Sequence, residues 1–264
     1  MKVAGAQTHN KRKGSYHWCV LEPVRSREFV EVRCAPGETH VWRVELDCAD
    51  TSLAALAASL SLAERAKAAR FQAAPLRERW TVARGALRHI LAKYARTEPS
   101  LLRFAVGSNG KPTLCPPAHD ISFNLSHTGG LAFVAVAGGE QIGVDAEIVH
   151  SGIDVENLSR RFFCPVEADE ILALPHGSQF AAFFTCWTRK EAILKALGSG
   201  LSAPLDRFQV SVRTDEPARL VSADGDSCDR WTLVDIGEQG VAGALAIEGR
   251  SPMLQRLEFD LPAA

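Results

Sequence analysis

The stretch IGVDAEIV (142–149) sets Asp145 and Glu147 two residues apart. On a strand, alternate side chains share a face, so both carboxylates point one way. Ile142, Val144, Ala146 and Ile148 then point the other way, into a core. Two neighbouring carboxylates repel, and either solvent or a cation relieves the repulsion. A third carboxylate lies in WTRKEAILK (187–195). On a helix over 178–197, Phe180, Phe183, Phe184, Trp187 and Leu194 make an apolar stripe with Glu191 near its centre. Arg189 falls opposite, facing solvent. An unpartnered buried carboxylate is costly or takes up a proton. A Glu191–Lys195 pair one turn apart explains the pairing but not the position. Three carboxylates from two elements suit Mg2+, which takes hard oxygen ligands and shares substrate phosphates.

The elements that must carry these groups are readable around them. THVWRVELD (39–47) alternates like a strand. Ser61 and Glu64 form a capping box before LAERAKAARF. Pro75 suits the first turn of a helix with Leu76, Trp80, Ala83, Leu87, Ile90 and Tyr94 on one side. Arg77, Arg79, Arg84, Arg88 and Lys93 fill much of the rest. LLRFAVG, a SNGKP turn, DISFNLSH and LAFVAVAG lead into the acidic strand. Helices are expected near 155–163, 165–174 and 178–197, the last capped by Gly198. DRFQVSVR, RWTLVDI and GALAIEG close the chain as strands. This order predicts an α+β fold, with two similar halves side by side.

The 264 residues suffice for one large domain or two moderate ones. With 30 basic and 31 acidic residues, the net charge of -1 argues against a general polyanion binder. Seven cysteines without a CxxC pair argue against a disulfide framework or structural zinc, and favour a reducing cytoplasm. No apolar run spans a bilayer, and the N-terminus lacks a signal-peptide core. The NKRK run near the N-terminus reads as a solvated tail.

At IGVDAE plus WTRKEAILK the sequence resembles the 4'-phosphopantetheinyl transferases of the larger, surfactin-synthetase-activating type. The pattern is (V/I)G(V/I)D-x-E, then about forty residues later W-x-x-K-E-x-x-x-K. It meets Gly143, Asp145 and Glu147, then Trp187, Lys190, Glu191 and Lys195. NGKP and FNLSHTGG precede it and SGLSAPLDRFQV follows, in that family's order. The similarity runs from about 107 to 213, and more weakly back through SLAERAKAARF and RERWTVARGALR. Ala146 departs from the usual Ile or Val; it points inward and bears on packing.

The resemblance implies two pseudo-symmetric lobes, each a small, mostly antiparallel sheet packed with helices. Their expected limits are 1–138, with an extension over about 1–38, and 139–264. It implies transfer of the 4'-phosphopantetheine arm from coenzyme A to a serine of an apo acyl or peptidyl carrier protein, releasing 3',5'-ADP. Asp145, Glu147 and Glu191 would hold Mg2+, with Mn2+ the alternative. Glu191, or a metal-bound water it orients, would be the base. Lys195 and Lys190 would face the diphosphate. Ser126 and His127 would meet phosphate oxygens, His127 on the 3'-phosphate side. Lys111 would meet a CoA phosphate and Pro112 would fix the backbone near the adenine. Arg79, with Arg65 and Lys67 behind it, would bind the 3'-phosphate. Arg84 and Arg88 are either structural pairs or carrier contacts. A monomer is expected, without nucleic-acid or membrane partners. A Mg2+-dependent phosphodiesterase or nuclease, or a non-catalytic CoA-binding module, are the competing readings.

Overall fold

A computed structural model describes residues 19–20, 32–107, 110–116, 121–199, 204–223, 227–249 and 252–262. Most of the N-terminal extension, its NKRK run, and residues 108–109 of the turn lie outside the described residues. The elements are β1 (Cys19–Val20), β2 (Glu38–Glu45), α1 (Asp50–Ala58), α2 (Leu62–Ala68), α3 (Ala74–Ala95), β3 (Phe104–Val106), β4 (Pro112–Leu114), β5 (Ser122–Thr128) and β6 (Leu131–Ala137). There follow β7 (Ile142–Ile148), α4 (Val155–Phe162), α5 (Pro165–Leu172), α6 (His176–Leu197), β8 (Phe208–Val210), β9 (Leu220–Ala223), β10 (Trp231–Asp235), β11 (Val241–Glu248) and β12 (Met253–Glu258).

One unit occurs twice. A strand leads to a 22-residue helix and then to a hairpin whose second strand pairs antiparallel with the first strand. The first copy is β2–α3–β5–β6, ordered β2-β6-β5; the second is β7–α6–β10–β11, ordered β7-β11-β10. Both long helices end on a left-handed residue, Arg96 (φ 51) and Gly198 (φ 67). The α+β expectation of two similar halves is met.

The two sheets stack face to face with the long helices outside. Alternation along each strand decides this. On β6, Ala132, Val134 and Val136 join the α3 core, while Leu131, Phe133 and Ala135 face the other sheet. On β7, Ile142, Val144 and Ala146 fill the same inter-sheet core, as the sequence suggests. Ile148, expected there too, is largely exposed at the end of the strand. The strand β12, absent from the sequence reading, lies parallel beside β2 and so returns the C-terminus to the first sheet. Helix α1, also unread, packs on α3.

The β5 and β7 edges meet without sharing a backbone ladder. The N–H groups of Val144, Ala146 and Ile148 donate instead to Asn124 Oδ1, Ser126 Oγ and Thr128 Oγ1, at 2.9, 3.3 and 3.1 Å. Every second residue of FNLSHT thus satisfies a backbone donor that a bare edge would leave unpaired.

A second device repeats as well. A short helix carries a glutamate at its third position that binds its own N-cap backbone and a cation on the long helix. On α2, Glu64 accepts from Ser61 N (2.8 Å) and pairs with Arg84 and Arg88 of α3. Arg84 and Arg88 are therefore structural partners. On α5, Glu167 accepts from Cys164 N (2.9 Å) and pairs with Lys190 of α6 (2.8 Å). Burial pushes the Glu64 carboxyl up, but hydrogen bonds from Arg88, Ser61 and Arg84 outweigh it and hold it at about 2. Its folded value lies below its unfolded value of about 4.5. Its stabilisation, about 3 kcal/mol, is complete above that unfolded value and is lost as pH falls towards 2. Urea melts of Glu64→Gln should show that loss at pH 7 and a flatter stability profile between pH 5 and 2.

Candidate active site

Helix α6 is packed on both sides, against β7 and β11 on one and α5 and β8 on the other. This burial corrects the expectation for Arg189, which is not in solvent. Arg189 is fully buried, forked onto Asp235 (3.0 and 2.7 Å) and bonded to Ser211 O (2.7 Å). A stripe of apolar residues predicts a solvent face only when the opposite side has no cover.

The β7 face towards α6 carries Asp145 and Glu147, and α6 brings Glu191 to them. Close approach of strand and helix needs Gly143: a Cβ there would lie 2.0 Å from Ala192 O and 2.4 Å from Ala196 N. Lys195, one turn beyond Glu191, pairs with Asp145 Oδ1 at 2.6 Å rather than with Glu191. Its ammonium also donates to Val144 O and Ser126 Oγ, both at 3.2 Å. Ser126 Oγ donates to Asp145 Oδ1 at 3.0 Å. Buried Ser126 thus braces the aspartate and the β7 backbone.

Asp145 Oδ2 is buried with no hydrogen-bond partner. Burial, then Asp145, pushes the Glu147 carboxyl up. The same two causes, with Glu147 last, raise Glu191. The acidic cluster therefore holds more negative charge than Lys195 offsets. Among the described residues, no group of three or more His, Cys, Asp and Glu is drawn into a ready metal cage. The orphaned Asp145 oxygen and the mutually repelling carboxylates nonetheless fit a hard divalent cation.

His127, exposed at the end of β5, is held below its ordinary range by partial desolvation and then by the Lys195 and Lys67 charges. Arg79 stands by the β5–β6 turn, forked onto Asp47 (2.7 and 2.9 Å). Lys67 lies over the Trp80 ring at 5.7 Å, and Arg65 is tied to the carbonyls of Leu60 and Ala58. Lys111 occupies the other end of the β5–β7 seam. Its ammonium donates to Ile142 O and Ala196 O, both at 2.9 Å, and burial lowers it to about 8. It caps the α6 C-terminus, so it is not free to meet phosphate as expected. Pro112 opens β4, paired with Val106. Lys190 is not brought to the carboxylates at all. It is fully buried, bonded to Glu167 and to the carbonyls of Leu205 and Phe208. Glu167→Gln should leave this ammonium uncompensated and cost about 3–5 kcal/mol in thermal or urea unfolding.

A family model described as the 4'-phosphopantetheinyl transferase superfamily matches residues 141–246, the stretch that carries Asp145, Glu147, Glu191 and Lys195. The 4'-phosphopantetheinyl transferase HetI of Nostoc sp. (strain PCC 7120) is 39% identical over 215 residues, 80% of this chain and 88% of that protein. The chain belongs to the 4'-phosphopantetheinyl transferases. A Bacillus subtilis 4'-phosphopantetheinyl transferase is 33% identical over 169 residues, 64% of this chain and 73% of that one. The transferase Sfp of Bacillus subtilis strain 168 is 32% identical over 141 residues, 53% of this chain and 61% of its own.

In this transferase three residues near the cluster escaped the sequence reading. Asn124 and Thr128 flank Ser126 in the seam, and the N-x-S-x-T alternation was their available signal. His150 lies tilted against Phe184 (ring centroids 5.1 Å) and opposes the upward push on Glu147; nothing in its local sequence marks it. No helix among the described residues is long and apolar enough to cross a membrane.

Proposed function

We propose that the protein transfers the 4'-phosphopantetheine arm of coenzyme A to a serine hydroxyl of an apo acyl or peptidyl carrier protein, releasing 3',5'-ADP. The observation that carries this reading is the acidic cluster of Asp145, Glu147 and Glu191, with its orphaned Asp145 oxygen, in a chain of this family. Residues 1–138 and 139–264 are read as the two lobes, with β12 lent back to the first. One chain supplies both sides of the seam, so a monomer suffices. Seven cysteines without a CxxC pair favour a reducing cytoplasm.

Asp145, Glu147 and Glu191 are the residues that would hold Mg2+, which when bound would neutralise charge on the diphosphate. Lys195 holds Asp145 in place, and its partly exposed ammonium meets the diphosphate. Ser126 fixes Asp145 from the opposite lobe. Arg79 and Lys67 form a cationic rim for the nucleotide phosphates, with Arg79 at the 3'-phosphate and the His127 imidazole beside them as a hydrogen-bond donor. The rim adds positioning, which is most of what phosphoryl transfer requires. Glu191, standing beside Asp145 and Glu147, accepts the serine proton. The serine oxygen then bonds to the β-phosphorus as the diphosphate P–O bond breaks and 3',5'-ADP departs.

Incubation with CoA, Mg2+ and a panel of apo carriers, read by intact-protein mass, tests this. A gain of about 340 Da per carrier, one phosphopantetheine arm, is expected. No gain with any carrier, with CoA left intact, overturns the reading.

A further inference from the structure

The Arg79 guanidinium is already occupied. Asp47, just beyond β2, takes its Nε and Nη2 in a two-point fork at 2.7 and 2.9 Å. That fork fits carboxylate and phosphate alike. The carboxylate is wedged against the β5–β6 turn. A Cβ on Gly130 would lie 2.7 Å from Asp47 Oδ2, with Arg79 Nη2 at 4.0 Å from the same point. Leu46 N donates to Gly130 O at 2.8 Å and keeps the two segments together. An anionic oxygen thus stands between Arg79 and the turn that follows His127, where Lys67 and Lys195 also act. The pair is open to water, with side-chain exposures of 34% for Arg79 and 65% for Asp47. Exposed pairs of this kind are weak. A phosphate monoester carries close to two charges against the single charge of a carboxylate, and offers three oxygens.

We propose that Asp47 holds the place of the CoA 3'-phosphate on Arg79, and that the incoming phosphate displaces it. Asp47 thereby sets how strongly CoA is preferred over dephospho-CoA, which lacks that phosphate. The inference rests on the reading of Arg79 given above, and its test separates the two. Steady-state rates with one apo carrier are measured for CoA and dephospho-CoA in Asp47→Asn, Arg79→Ala and Asp215→Asn. Asp215 pairs with Arg213 at the surface of the other half and controls for net charge.

In Asp47→Asn the KM for CoA should fall about two- to fivefold, while that for dephospho-CoA holds. A KM for CoA that stays or rises overturns the proposal; a rise would make Asp47 an orienting partner of Arg79. A matching fall in Asp215→Asn would also overturn it, by assigning the effect to net charge. Arg79→Ala should raise the KM for CoA alone. If it affects both substrates equally, the reading of Arg79 fails and the proposal with it. If Arg79→Ala discriminates and Asp47→Asn does not, only the proposal fails.

Discussion

Asp145→Ala is expected to fold and to lose transfer by at least roughly 10²–10³-fold, the scale of deleting one transition-state stabilising group. Asp145 is the hub of the cluster: Lys195 and Ser126 both converge on Oδ1, and Oδ2 has no protein partner. Its removal strips the cluster of the buried carboxylate oxygen that has no hydrogen-bond partner. It also frees Lys195, whose side chain is only partly buried and can turn to solvent, so the fold should survive. Glu191→Ala should lose turnover to a similar extent. A readout other than turnover separates metal binding from chemistry. Calorimetric titration with Mn2+ should show one site in the unaltered protein and none in Asp145→Ala. A chelator should stop transfer, and added Mg2+ should restore it. Near-normal rates in Asp145→Ala would remove this residue from the site.

Gly143→Val should damage stability and transfer together. The added side chain would enter at Ala192 O and Ala196 N, both backbone atoms of α6 that cannot turn aside. Either α6 moves from β7 or β7 leaves the inter-sheet core. Overpacking of a fitted core costs about 1–3 kcal/mol or more, and a backbone collision belongs at the upper end. Because Glu191 and Lys195 ride on the same helix, any protein that still folds should lose transfer with stability. Urea melts and rates measured together test this. Unchanged stability would mean that α6 and β7 are not pressed together at this point.

Much of the active-site arrangement was legible because it is local. Period two placed Asp145 and Glu147 on one face, away from Val144 and Ala146, and the structure keeps that division. Period 3.6 singled out Glu191 as a carboxylate at a buried position, and it is buried. The capping box at Ser61 and Glu64 and the Gly198 cap were equally local, and both form. Arg189, Lys190 and Lys111 were misread for one shared reason. Each side chain's surroundings come from a distant segment: Asp235 and Ser211 for Arg189, Glu167 for Lys190, and the ends of β7 and α6 for Lys111.

The sequence alone determined which residue types could do the chemistry and along which faces of strand and helix they stand. Those facts follow from backbone geometry and need no partner. The tertiary structure alone decided which lysine serves the carboxylates, that an aspartate already sits on Arg79, and that two edge strands are joined through Asn124, Ser126 and Thr128. Charge compensation and desolvation depend on what lies within a few ångströms in space, and long-range packing sets that distance.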